Sequence, residues 1–312
     1  MKKVRNVPKF YSGFVALIGR PNVGKSTLMN LFIGEKISIV TNKPQTTRNK
    51  IRSILTGEDY QIVFIDTPGI HKPTTKLGNY MVKSAHTALN EADAVVLLVE
   101  PREKVHEGDI AIIESLANVD TPIFLGINKV DTVEKPALLK MIDAYSKVYP
   151  FKGIIPLSAL TGENTQALLQ ALRGVLTPGP MYFPKDQITD QPERQIAAEI
   201  IREKALTFLQ EEIPHGLAVE ITGMKSRSND PDNNPEAIVD VGATIFCERD
   251  SHKAIIIGKK GDMLKRIGSA ARRDIENLLG SPIFLDIWVK VKKNWRDSDF
   301  LLKNFGYNER DI

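Results

Sequence analysis

Cysteine is almost missing from this chain of 312 residues, where Cys247 stands alone among strand-like neighbours. One cysteine forms neither an internal disulfide nor a zinc cluster, so it reads as a small buried hydrophobe in a reducing compartment. No apolar run approaches the ~20 residues of a membrane-spanning helix. Met1-Lys2-Lys3 leads into Val-Arg-Asn-Val-Pro rather than an apolar leader, so a cytoplasmic location is expected. Internal repeats and low-complexity tracts are absent as well. Tryptophan is scarce, and both Trp288 and Trp295 are expected to pack rather than stack on a ligand.

What remains is the composition of an ordinary globular protein, 42% hydrophobic and 26% charged, long enough for two domains. The net charge of +4 is unevenly spread. Residues 251–296 hold eleven Lys or Arg against four Asp or Glu, a balance of +7, which leaves −3 for everything else. A basic segment on a mildly acidic chain is the footprint of a polyanion partner, although a solvated helix face gives the same pattern.

Short apolar runs at 14–18, 51–55, 61–66, 94–100, 122–128 and 154–157 alternate with helical patterns at 26–33, 77–90, 107–116, 136–148 and 165–175. The turn 56–59 joins the second and third runs as a hairpin. This order predicts an α/β domain, a mostly parallel six-stranded sheet covered by helices, over residues 1–180. Four prolines between 177 and 192 mark a linker or domain boundary. Beyond it, helix 194–209, strands 218–222 and 237–248, two helices and strand 283–291 predict a smaller α+β domain over 181–312, tail included.

Gly19-Arg20-Pro21-Asn22-Val23-Gly24-Lys25-Ser26 follows the first apolar run and leads into a helix starting near Thr27. This is the phosphate-binding loop G-x-x-x-x-G-K-S/T in its strand–loop–helix setting. Its backbone N–H groups curl around a polyphosphate, Lys25 reaches the β- and γ-phosphates, and Ser26 places its hydroxyl on Mg2+.

Asn128-Lys129-Val130-Asp131, at the end of the fifth run, selects guanine. The Asp131 carboxylate accepts from N1–H and the exocyclic amino group, which adenine does not offer, and leaving it unpaired costs ~1–3 kcal/mol. The Lys129 stem lies along the purine, and the Asn128 amide braces the loops. Ser158-Ala159-Leu160 follows the last run, and the Ala159 N–H is positioned to read guanine O6.

Asp66-Thr67-Pro68-Gly69 supplies Asp66 for Mg2+ and the Gly69 N–H for the γ-phosphate. The polar segment 41–49 supplies a threonine that reaches Mg2+ only while the γ-phosphate is present. Thr47 is assigned, with Thr46 in reserve.

These motifs resemble the translation-factor-related small GTPases, and over residues 10–307 the chain resembles the Era-like family, in which a GTPase domain precedes a KH domain. Pro44-Gln45-Thr46-Thr47-Arg48 and the later glycine loop carry the second resemblance. The position after Gly69, where Ras-like proteins have a water-orienting glutamine, is Ile70, a departure shared by the Era-like group. Catalysis then rests on electrostatics from Lys25, Mg2+ and backbone amides, with Thr47 and Gly69 at the γ-phosphate. His71 reads as a solvated switch residue rather than a base. Potassium-dependent relatives ligate K+ through an asparagine at the position of Asn22, which implies a catalytic monovalent cation.

Ile257-Gly258-Lys259-Lys260-Gly261 contains the G-x-x-G of a KH domain between two helical stretches, with Lys265 and Arg266 one turn further on. Small residues admit a nucleic-acid backbone and the basic side chains meet its phosphates. Ile256, Ile257 and Ile267 either floor the adjoining groove or belong to the core. The resemblance implies GTP and GDP as ligands and binding near the 3′ end of 16S ribosomal RNA. It also implies a role in 30S subunit assembly, as a monomer with some peripheral membrane association. Two other readings are a constitutive RNA-binding factor whose nucleotide site is structural, and a GTPase acting on a membrane surface.

Overall fold

The computed structural model describes residues 9–43, 45–70, 73–117, 119–210, 216–228 and 237–308. The chain divides into two compact units, one of Met1–Ser38, Thr47–Lys72 and Met81–Asp190, the other of Ile39–Thr46, Pro73–Tyr80 and Gln191–Ile312.

In the first unit β1 (Tyr11–Ile18), β2 (Ile51–Thr56), β3 (Tyr60–Asp66), β4 (Ala94–Val99), β5 (Ile123–Ile127) and β6 (Gly153–Pro156) line up as β2-β3-β1-β4-β5-β6. Only β2 runs antiparallel on this path, paired to β3 through the expected hairpin. A two-residue β7 (Thr177–Pro178) adds a seventh, antiparallel strand beside β1. All six residues of β4 are buried, which is why it reads as an unbroken apolar run rather than an alternating one.

Alternate residues of the central strands feed two cores. Val15, Leu17, Val96 and Leu98 meet Leu28 and Met29 of α1 (Lys25–Ile33) and Leu168 and Leu172 of α5 (Thr165–Arg173). Ala16, Ile18, Val95 and Leu97 meet Leu89 of α2 (Lys76–Glu91), Ile112 of α3 (Glu107–Ser115) and Met141 of α4 (Lys135–Ser146). Parallel strands therefore end together at one edge, where the loops of a doubly wound sheet collect.

The proline-rich stretch after 177 is held to the first unit by hydrogen bonds. Gln61 donates to the Phe183 carbonyl at 2.9 Å and accepts the Tyr182 N–H at 2.8 Å, and Thr189 donates to the Arg52 carbonyl at 2.7 Å. The unit break accordingly falls at Asp190 and Gln191, inside the proline-rich stretch and about ten residues after the expected boundary at 180/181.

In the second unit β8 (Ala218–Ser226), β9 (Val239–Cys247) and β10 (Ile283–Val291) form a sheet in the order β10-β9-β8. The β8–β9 pair is antiparallel and the β9–β10 pair parallel. Its core joins Ile200 of α6 (Glu193–Phe208), Ile256 of α7 (Asp250–Ile257) and Ile267, Ala271 and Ile275 of α8 (Asp262–Leu279) to Val241, Ala243 and Ile245 of β9. Buried Cys247 belongs to this cluster, as its chemistry suggested.

Trp295 is fully buried and donates to the Gly216 carbonyl at 2.9 Å. Phe305 and Tyr307, beyond α9 (Asp299–Asn304), pack against it. Trp288 departs from expectation. It lies on the outward face of β10, 63% exposed, because its strand alternates and the core takes Val289 instead.

Candidate active site and candidate nucleic-acid interface

The loop from Gly19 to Gly24 leaves the end of β1 and enters α1 at Lys25. Gly24 precedes the helix at φ 100°, a left-handed conformation that suits glycine, and no side chain caps the first turn. The first N–H groups of α1 thus face outward as an anion site. Asn22 shares the positive φ, at 65°, as asparagine tolerates. Lys25 is buried, and its Nζ donates to the Gly19 and Arg20 carbonyls at 3.2 and 3.1 Å. Burial lowers its pKa to about 8, with the charge of Asp66 opposing the shift.

Asp66 ends β3 with no exposure. Its Oδ2 accepts the Ser26 hydroxyl at 2.6 Å and that of Thr47 at 3.5 Å, and the two hydroxyl oxygens lie 3.1 Å apart. Oδ1 is buried with no hydrogen-bond partner. Burial pushes the Asp66 carboxyl up, and Lys25, Ser26, Ser38 and Thr47 pull it down by less. Three hard oxygen donors, one with an unused lone-pair direction, suit a small divalent cation such as Mg2+. The predicted ligand set Ser26, Thr47 and Asp66 thus comes together. Thr46, the reserve, does not join it. Its hydroxyl donates to the Lys43 carbonyl at 2.6 Å, and its own carbonyl accepts from buried Arg202.

Gly69 and Ile70 lie beside the phosphate loop, where the Ile70 N–H donates to the Gly19 carbonyl at 3.3 Å. The Ile70 side chain packs on the apolar cluster behind it, so nothing at this position orients a water. Thr67 is buried and donates to the Leu17 carbonyl, which holds the turn to β1. His71 lies outside the described residues.

Asn128 performs the bracing expected of it. Its Nδ2 donates to the Val23 carbonyl at 2.7 Å and its Oδ1 accepts the Ala159 N–H at 2.8 Å. Reading guanine O6 through the Ala159 N–H therefore requires that bond to be shared. Ser158 is buried and Leu160 is 78% exposed beside the same loop. Asp131 sits exposed in a short 3-10 turn, Val130–Thr132. Lys129 pairs with Glu100 just past β4, and Arg102 and Arg20 lie 3.5 and 3.8 Å from the same carboxylate. Burial would raise the Glu100 pKa, but Lys129 and the two arginines outweigh it and hold the carboxyl below its usual range.

The sequence reading missed Glu100, since a carboxylate after a buried strand has no motif of its own. It also missed the destination of the Arg20 side chain, which turns away to Asp109 on α3, 2.7 Å from Nε.

In the second unit α7 and α8 flank Gly258–Gly261 as expected. Gly258 has φ 75°, and a Cβ there would lie 2.7 Å from that of Met263, so no other residue fits. Lys259, Lys260, Lys265 and Arg266 are all exposed. The adjoining groove runs between α8 and β10, lined by Leu264, Lys265, Gly268, Arg272, Phe284 and Ile287.

Ile256 and Ile267 are fully buried, so of the two readings left open they are core, and Ile257 packs partly against the same cluster. Arg266 lies across the Phe208 ring at 4.2 Å. Arg272 and Phe284 escaped sequence reasoning because only the pairing of α8 with β10 brings them to one groove.

Comparison with known proteins agrees with this geometry. Residues 14–129 match a family described as 50S ribosome-binding GTPase, and residues 212–296 match the KH domain. GTPase Era of Clostridioides difficile is 55% identical over 302 residues, covering 96% of this chain and 100% of that protein. GTPase Era of Alkaliphilus metalliredigens is 54% identical, covering 96% and 99%. A crystal structure of Era in complex with MgGDPNP and nucleotides 1506–1542 of 16S ribosomal RNA superposes with a TM-score of 0.91 at 38% identity, covering 96% of this chain and 99% of that one. A point variant of Aquifex aeolicus Era bound to GDP.AlF4− gives the same TM-score and identity, covering 96% and 100%.

Proposed function

This chain belongs to the Era family of GTPases and hydrolyses GTP, and from that premise we propose that its nucleotide state governs engagement of the 3′ end of 16S ribosomal RNA during small-subunit assembly. The relative bound to both MgGDPNP and 16S RNA supports both ligands for this chain.

The reaction is assigned to the first unit. The Lys25 ammonium and the N–H groups of the first α1 turn stabilise charge on the β- and γ-phosphates. Ser26, Thr47 and Asp66 would hold Mg2+, and the ion would supply positive charge against the phosphates. The Gly69 N–H binds the γ-phosphate, and Thr47 responds to its loss because it reaches the metal from a loop rather than from a helix or strand. Ile70 offers no proton acceptor, so rate enhancement comes from preorganised charge. Asn22 would ligate K+ if a monovalent cation assists, and the ion would supply positive charge that no arginine of the loop provides. Asp131 reads the guanine edge while Asn128 and Lys129 frame the base.

The second unit binds RNA. Lys259 and Lys260 meet the phosphates at the Gly258–Gly261 loop, Lys265 continues that contact, and bases enter the apolar groove beside it. Action as a cytoplasmic monomer, with some peripheral membrane association, belongs to the same proposal. Among the described residues no helix is long and apolar enough to cross a membrane.

The observation that carries this reading is the convergence of Ser26, Thr47 and Asp66 beside Lys25 on a chain that also presents an intact basic glycine loop. Crosslinking to a 16S 3′-end fragment with GDP and with a non-hydrolysable GTP analogue tests it. Different efficiencies are expected. Equal efficiencies would refute the coupling, and no crosslink in either state would refute the RNA assignment.

A further inference from the structure

Asp109 is a carboxylate with no solvent exposure on the first turn of α3, where the helix dipole favours an acid but does not require that it be buried. Burying a carboxylate is costly unless both oxygens are paired. Here both are. Oδ1 accepts from Arg20 Nε at 2.7 Å, and Oδ2 accepts the Tyr145 hydroxyl of α4 at 3.0 Å. Burial and the neighbouring Asp109 charge push the Tyr145 hydroxyl well above its usual pKa, so it remains a donor.

The backbone on both sides is fixed as well. His106 caps α3 by accepting the Gly108 N–H at 2.9 Å, which sets the direction of the first turn. Gly108 has no side chain, and a Cβ there would lie 2.8 Å from Arg20 Cδ. A side chain at position 108 would therefore push the Arg20 stem out of its present path.

Arg20 is also the residue whose carbonyl, with that of Gly19, holds Lys25 Nζ. We propose that Asp109 and Tyr145 are positioning residues of the nucleotide site: by clamping the Arg20 side chain they fix the Gly19–Arg20 peptides that seat Lys25. The Arg20 guanidinium is thereby a strut on the far side of the loop and not a phosphate ligand. Glu100, 3.8 Å from Arg20 and paired with Lys129, extends the strut to the base-reading motif. Without the clamp the loop loses its anchor, and displacements of about 1 Å at a reacting group cost on the order of 100-fold in rate.

The inference rests on the GTPase reading above, and one experiment separates their failures. Dissociation of a fluorescent GDP analogue, steady-state GTP turnover and the urea midpoint are measured for wild type, Asp109→Asn, Tyr145→Phe, Arg20→Ala and the double variant Arg20→Ala/Asp109→Asn. Asp109→Asn is expected to speed GDP release about tenfold and to lower kcat more than it raises KM for GTP, as loss of second-layer support does elsewhere. Tyr145→Phe does the same more weakly, by about threefold, because it removes only one neutral donor.

The double variant matches Arg20→Ala alone, since without the guanidinium Asp109 has nothing to hold. A merely structural role predicts a lower urea midpoint with unchanged release and turnover in every folded variant, and that result overturns the proposal. Additive effects of Arg20→Ala and Asp109→Asn also overturn it. Where Asp109→Asn does not fold, Tyr145→Phe decides alone: unchanged release refutes the clamp. Wild-type protein that binds no guanine nucleotide refutes the GTPase reading instead.

Discussion

The Ser26 hydroxyl donates to Asp66 Oδ2 at 2.6 Å, which joins the first turn of α1 to the last residue of β3. The two are 40 positions apart in the chain and come from different motifs, and their meeting forms the corner of the site to which Mg2+ is assigned. Asp66→Asn should lower Mg2+ affinity by about 10–100-fold while leaving a folded protein, since a carboxamide keeps one acceptor for Ser26. Mg2+ titration of the GTPase rate measures this, and chelation of the metal in wild type should stop turnover.

Asn128 binds two loops at once, through the Val23 carbonyl and the Ala159 N–H. Asn128→Ala leaves one buried acceptor and one buried donor unpaired, at about 1–3 kcal/mol each. Both the urea midpoint and nucleotide affinity are expected to fall. A drop in stability with unaltered affinity would mean that the bridge supports the fold alone.

Asp131 is assigned to the guanine edge because its carboxylate only accepts. Asp131→Asn places an amino donor where the base also donates. GTP turnover should fall by about 100-fold or more, while xanthosine triphosphate, with a carbonyl in place of the exocyclic amine, should gain. Competition between the two nucleotides reads the switch directly.

Lys259 and Lys260 flank no acid within their loop and both are exposed. Replacing both with Asp should abolish retention of a 16S 3′-end RNA and leave GTP affinity intact. For wild type, log affinity should fall with log salt by about 0.7 for each phosphate neutralised. RNA binding that survives the double substitution would remove the glycine loop from the interface.

Asn22 is tested by the salt alone. GTP turnover should be faster in KCl than in NaCl of equal ionic strength, and the difference should vanish in Asn22→Ala. Equal rates in the two salts would dismiss the monovalent cation.

Much of this molecule is legible without coordinates because its chemistry is local. Gly19–Ser26 and Asn128–Asp131 are contiguous, and before each stands an apolar run short enough to read as a buried parallel strand. The groove residues Arg272 and Phe284 and the exposed Trp288 were not legible. On an amphipathic helix or an alternating strand, the face that meets the core depends on partners that the local pattern does not name. The proline-rich stretch reads as a linker or domain boundary, and its attachment to the first unit is invisible in the sequence because Gln61, which holds it, lies more than a hundred positions away.

The class of ligand is written in two short local motifs: the glycines with Lys25 and Ser26 call for a polyphosphate, and Asp131 in its own motif calls for guanine. That Thr47 and not Thr46 joins Asp66, and that Arg20 faces Asp109, emerges only once the chain is folded. The reason is physical. Which of two adjacent threonines points inward, and which buried acid meets an arginine 89 positions earlier, follow from how the strands, helices and loops pack, and packing has no local signature.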